Sequence, residues 1–142
     1  MKRLHVSLNV SNLDQSVAFY TDLFGQQPTF LKSDYAKWML DDPSVNFVLE
    51  HGAQSTGLTH AGIQAESDDE LREVFSRMKS AEIPYLPEGT TSCCYAKSEK
   101  SWTFDPDGLP WEAFYTHHQL EERGAANIPV TAVTGCCQQT PP

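Results

Sequence analysis

The chain repeats itself, and that restricts it to folds two like modules can build together. Leu4-His5-Val6-Ser7-Leu8-Asn9-Val10 returns as Thr59-His60-Ala61-Gly62-Ile63-Gln64-Ala65, with the two histidines in register. Both copies alternate apolar and polar residues, the period of a half-buried strand. A helical pattern with an acidic start follows each, which suits the positive end of a helix dipole. In the first, Asp14 opens a run with Val17, Phe19, Tyr20, Leu23 and Phe24 at helical spacing, and Gly25 stops it. In the second, Asp68-Asp69-Glu70 open a helix carrying Leu71, Val74, Phe75 and Met78. Three short strands should follow in each half, near 29–32, 35–40 and 46–50, then near 85–87, 101–104 and 111–116. The turns Asp41-Asp42-Pro43 and Asp105-Pro106-Asp107-Gly108 separate the last two strands of each half. The predicted fold class is α+β. Two pseudo-repeated βαβββ modules, about 3–51 and 58–116, should form one curved, mixed sheet around a metal cavity.

The copies differ most between their second and third strands. The first has a short turn there, whereas the second should carry a loop over about 88–100. A long loop inside a compact domain is more often functional than accidental. This one contains the adjacent cysteines Cys93 and Cys94. Residues 1–120 are expected to form one domain, followed by a flexible tail over 121–142 that lacks periodicity.

A net charge of −9 argues against a phosphate-backbone binder and against an anionic membrane surface. No apolar run reaches the length needed to span a bilayer, and Met1-Lys2-Arg3-Leu4-His5 runs straight into a strand pattern. The expectation is a cytoplasmic monomer or homodimer with no nucleic-acid or membrane partner. Its four cysteines, paired as Cys93-Cys94 and Cys136-Cys137, would there be mostly reduced. Adjacent pairs make a poor disulfide framework but a plausible ligand set.

His5 and His60 hold equivalent positions in the two copies, so pseudo-symmetric pairing would bring them to one cavity. Glu112 opens the last strand and could face the same concavity. Two histidines and one carboxylate form a facial triad that leaves three adjacent metal positions open, which suits non-haem Fe(II). Glu50 is a candidate fourth ligand, although a strand-end surface glutamate is the better reading. It would close one position and favour Ni(II) or Zn(II) chemistry of the isomerase kind; strand parity does not exclude it. Neighbouring strand residues point to opposite faces, so Cys93 and Cys94 need a turn or loop to converge on one atom. Lys97 and Lys100 nearby would favour their thiolates. Thiolates are soft ligands that prefer thiophilic metals and metalloids. Cys136-Cys137 either delivers a thiophilic ligand or has no role. His117-His118 extend past the last strand as an exposed pair. Trp38, Trp102 and Trp111 are expected in the core or lining the cavity, with Tyr95 a contact of the lid.

The repeat, the His/His/Glu set and the turn before Glu112 resemble the vicinal oxygen chelate superfamily, over roughly residues 3–116. That superfamily includes glyoxalase I, bleomycin-resistance proteins and extradiol dioxygenases. Tyr35-Ala36-Lys37-Trp38-Met39-Leu40-Asp41-Asp42-Pro43 and the segment from Cys93 to Trp102 are similar to the ArsI-type carbon–arsenic lyases and the related cadmium-induced CadI proteins. The resemblance implies an Fe(II)-dependent dioxygenase, with dioxygen as co-substrate, that splits carbon–arsenic bonds in small trivalent organoarsenicals. Carried over residue by residue, His5, His60 and Glu112 match the metal ligands and catalytic centre, and Cys93 and Cys94 match the arsenic-binding thiols. Arsenite and an oxidised carbon fragment are the expected products. Two other functions stay open: sequestration of Cd(II) or arsenite by the same thiols, and a glyoxalase-like lyase or isomerase if Glu50 joins the metal.

Overall fold

The computed structural model describes residues 1–124, Cys93 by its backbone alone. The chain divides into two compact units, one of residues 2–62 and one running from Ile63 onward together with Met1. The division falls inside a strand instead of in the preceding loop.

The first unit contains β1 (Arg3–Val10), α1 (Leu13–Phe24), β2 (Phe30–Lys32), β3 (Tyr35–Asp41) and β4 (Ser44–His51). It also holds the start of β5 (Gly57–Ala65), and its strands lie in the order β2-β3-β4-β1-β5. β1 and β4 are parallel, while β2, β3 and β4 pair antiparallel, so the sheet is mixed as expected. The Asn12 side chain caps α1 by accepting from the Gln15 N–H, and Gly25 ends it at φ 64°, a left-handed conformation that glycine adopts without a Cβ clash. The helix packs through Leu13, Val17, Tyr20 and Phe24, at helical spacing, against Ala36, Trp38, Leu40, Phe47 and Leu49. Phe19 and Leu23, which the apolar pattern assigns to that face, point outward at 60% and 62% exposure. The contact stripe is therefore narrower than the apolar pattern. Tyr20, Phe24, Trp38 and Phe47 form an aromatic cluster with ring centroids 4.6–6.3 Å apart. The Trp38 indole N–H donates to the Gln26 carbonyl, which satisfies the polar atom of a fully buried ring.

The second unit contains the end of β5, then α2 (Asp68–Ser80), β6 (Leu86–Phe104) and β7 (Pro110–Gly124), with strand order β5-β7-β6. Ser67 caps α2 by accepting from the Glu70 N–H, and Asp68, Asp69 and Glu70 fill its first turn. Leu71, Val74 and Met78 bury against Ala65 and Ala113, with Phe75 and Tyr115 at the margin.

Residues 88–100 are not a loop; they lie within β6. β6 nevertheless doubles back. The Ser101 hydroxyl donates to the Leu86 carbonyl and the Thr103 hydroxyl to the Pro84 carbonyl, while the Trp102 indole donates to Glu88. In one continuous strand Leu86 and Ser101 would stand about 50 Å apart. Both side-chain-to-backbone contacts are centred on the Cys93–Cys94 peptide, so the segment is a hairpin with the cysteines at its bend. Counted by its two arms, the second module keeps the expected βαβββ order. The tail also starts later than its composition suggests, because Glu121–Gly124 belong to β7; Cys136 and Cys137 lie outside the described residues.

Candidate metal centre

On β1 the buried positions are His5, Ser7 and Asn9, while Val6, Leu8 and Val10 pack toward α1. The strand thus turns an apolar face to the helix and a buried polar face away from it. A polar face kept out of water is costly unless each group has a task. Asn9 has one: its side chain donates to the Ser55 carbonyl and accepts from the Ala53 N–H.

His5 and His60, both in the first unit, are buried with rings in contact. His5 Nδ1 lies 3.1 Å from the Asn46 backbone carbonyl. A carbonyl only accepts, so Nδ1 carries the hydrogen and Nε2 presents a lone pair. His60 Nδ1 lies 3.0 Å from Thr59 Oγ1, whose own hydrogen goes to the Ser7 carbonyl. That hydroxyl therefore accepts from His60 Nδ1, and His60 Nε2 presents a lone pair as well. The two Nε2 atoms are 3.1 Å apart. Two lone pairs at that distance repel, and either a proton shared between the rings or a metal ion against both relieves the contact. Adjacent ligands at 90° on an ion with bonds of about 2.1 Å would be about 3.0 Å apart, which matches. The donor chemistry fits a divalent transition metal, with both second ring nitrogens fixed by oxygen acceptors.

The strand register disposes of Glu50. His5 is paired with Asn46, and Asn9 with Glu50. Glu50 shares the face, as parity allows, but lies four residues along β4, about 13 Å from the histidine row. The residue in the His5 row is Asn46, which is buried. Asn46 is the third residue of β4 as Glu112 is of β7, so the repeat places an amide where the second copy has a carboxylate.

In the second unit Glu112 is 5% exposed and accepts from Lys100 Nζ at 3.1 Å. Lys100 is itself 7% exposed, with its ammonium 5.8 Å from the ring centroids of both Trp102 and Phe114. Lys100 was expected to support the cysteine thiolates; its charge is instead committed to a carboxylate between two aromatic faces. Lys97 is exposed.

At the hairpin bend Cys94 is half-buried, with φ 53°. A non-glycine residue held in that region costs about 1–3 kcal/mol, which the surrounding pairing must offset. Register also breaks here: Cys94 pairs with Gly124 but Ala96 with Gln119. Strand alternation is therefore interrupted next to Cys94. Tyr95 next to them is buried. Trp38 and Trp102 are buried as expected, Trp111 only partly; His117 and His118 are exposed, with His117 against the Tyr115 ring.

Sequence reasoning missed Thr59 and the Asn46 carbonyl, and assigned Lys100 to the cysteines instead of to Glu112. Aligning the two final strands would have found Asn46. Strand parity separates Lys100 from Lys97 once 97–100 are read as strand instead of loop.

The family model described as the Glyoxalase/Bleomycin resistance protein/Dioxygenase superfamily matches residues 2–113, and the chain belongs to that superfamily. Among curated proteins it is 40% identical to the trivalent organoarsenical cleaving enzyme of Bacillus sp. (strain MD1), over 99% of this chain and 92% of that protein. It is 31% identical to the cadmium-induced protein CadI of Mycobacterium bovis, over 80% of this chain and 76% of that one. The same fold occurs in an Mn(II)-bound glyoxalase from Novosphingobium aromaticivorans, at 20% identity and TM-score 0.58, covering 90% of this chain and 43% of that one. An extradiol ring-cleaving dioxygenase from B. fuscum shares it at 17% identity and TM-score 0.57, covering 84% of this chain and 34% of that one. Among the described residues no helix is long and apolar enough to cross a membrane.

Proposed function

We propose that this chain cleaves the carbon–arsenic bond of trivalent organoarsenicals as an Fe(II)-dependent dioxygenase. In this reading His5, His60 and Glu112 hold the metal, and Cys93 and Cys94 hold the arsenic. The observation that carries it is the pair of Nε2 atoms facing each other at 3.1 Å, each ring with an oxygen against its Nδ1. Similarity over nearly the whole chain to a trivalent organoarsenical cleaving enzyme supports the substrate class.

Two imidazoles and one carboxylate would leave three positions of an octahedral ion open, the donor pattern of Fe(II) oxygenases. Bound Fe(II) would supply the centre at which dioxygen is activated. The protein's part is positional. Thr59 and the Asn46 carbonyl keep both imidazoles in the tautomer that offers Nε2. Cys93 and Cys94 would supply adjacent thiols for a thiophilic As(III) atom, leaving its carbon substituent to project away from the sulfurs. Holding reactants in this way lowers barriers by up to ~7–11 kcal/mol in ideal cases. The overall reaction balances without an external reductant: methylarsenous acid plus dioxygen gives arsenous acid plus formaldehyde, with arsenic trivalent throughout and carbon oxidised.

The test measures bound metal, bound arsenic and released arsenite separately in wild type, His5→Ala, Cys93→Ser and Cys94→Ser, each incubated with Fe(II) and methylarsenous acid in air. The account expects His5→Ala to lose metal and release, and each cysteine variant to keep metal but lose arsenic retention and release. Arsenic retained by wild type with no arsenite formed would leave a sequestering protein, as the likeness to CadI would suggest. Release that survives both cysteine substitutions would contradict the clamp.

A further inference from the structure

Lys100 is a buried cation whose task the proposed mechanism leaves open. It stands in β6, paired with Ala113's neighbour strand position at Phe114, and its ammonium reaches Glu112 Oε2 at 3.1 Å. Both residues are more than nine-tenths buried, and the Trp102 and Phe114 rings flank the ammonium. Trp102 is held in turn by its indole hydrogen bond to Glu88, on the other arm of the hairpin. A lysine ammonium has three donors and loses much hydration on burial, so its place against one carboxylate oxygen is a directed contact and not a surface ion pair.

We infer that Lys100 is a positioning residue that fixes the denticity of Glu112. This rests on the reading of Glu112 as a metal ligand. With Oε2 engaged by Nζ, Glu112 offers the metal a single oxygen, Oε1. A carboxylate not restrained in this way can bind through both oxygens and occupy one position more. The lysine thereby preserves the number of open positions that a substrate and dioxygen need together, and it keeps the carboxylate aimed when no metal is bound. The aromatic flanks hold the ammonium in place by attraction to their ring faces and by excluding water.

The experiment uses the full chain loaded with Co(II), whose visible absorption reports coordination number, alongside Fe(II) affinity from anaerobic chelator competition. Lys100→Met should alter the Co(II) bands as Glu112 takes up a second position, and should move Fe(II) affinity away from the wild-type value. Lys100→Arg, which can still donate to Oε2, should bring the affinity and the bands back toward wild type. A folded Lys100→Met protein with wild-type affinity and an unchanged spectrum overturns the proposal. Should Lys100→Met not fold, the wild-type protein decides. The metal-minus-apo infrared difference spectrum should show the wide carboxylate stretch splitting of a one-oxygen ligand, and a narrow splitting overturns the role. If His5→Ala and Glu112→Gln bind metal as tightly as wild type, the metal reading fails, a result distinct from failure of Lys100 alone.

Discussion

Thr59→Val is the sharpest perturbation of the histidine pair, because it removes one oxygen and keeps the β-branched shape. Thr59 Oγ1 stands between the Ser7 carbonyl at 3.1 Å and His60 Nδ1 at 3.0 Å. Losing it breaks both contacts, and each neutral hydrogen bond contributes about 0.5–1.5 kcal/mol net. Stability should therefore fall by roughly 1–3 kcal/mol, with the upper end reached if the Ser7 carbonyl finds no water. The larger effect is on the site. Without an acceptor at Nδ1, His60 can place its hydrogen on Nε2, the atom that must meet the metal. Removing a partner behind a ligating histidine lowers metal affinity about 10- to 100-fold, or roughly 1.4–2.7 kcal/mol. Thr59→Ser keeps the hydroxyl and should return to within about threefold of wild type. Anaerobic chelator competition with Fe(II) or Co(II), checked by far-ultraviolet circular dichroism, measures this directly. Thr59→Val binding within twofold of wild type would refute the tautomer argument.

Three further outcomes follow from the same structure. Glu50→Gln should leave metal affinity within about twofold, since Glu50 lies about 13 Å along β4 from the histidine row; a tenfold loss would bring back the fourth-ligand alternative. Trp38→Ala should cost about 3–5 kcal/mol in denaturant unfolding, as expected for a wholly buried ring in an aromatic cluster, and a loss under ~1 kcal/mol would mean the cluster collapses to fill the space. Burial lowers the Lys37 pKa from its ordinary 10.5. Between the lowered value and 10.5 the unfolded chain binds more protons, so Lys37's contribution to stability rises with pH across that window. Lys37→Met should flatten that rise in urea titrations, and an unchanged slope would show that the ammonium is not desolvated.

The duplicated segment made the module order readable, because strand alternation and acidic helix starts are local properties. The histidine pair was readable for the same reason: register across a repeat marks two residues that single positions could not. Other features depended on tertiary context. Residues 88–100 look like a loop because they are polar and carry a glycine, yet they pair as a hairpin, with left-handed backbone at Gly89 and Cys94 allowing the departures from strand geometry. Phe19 and Leu23 fit the helical period but not the narrower stripe that β3 and β4 offer. Glu50 passed the parity test and failed on register, which only strand pairing supplies. Lys97 is exposed and Lys100 is buried against Glu112, a difference that appears only once 97–100 are known to be strand.

The most direct test of the proposed reaction is dioxygen consumed per arsenite released from methylarsenous acid by the Fe(II)-loaded chain in a sealed electrode cell. The account predicts one dioxygen per arsenite and no release under argon. Arsenite formed equally well under argon, or by the metal-free chain, would contradict it.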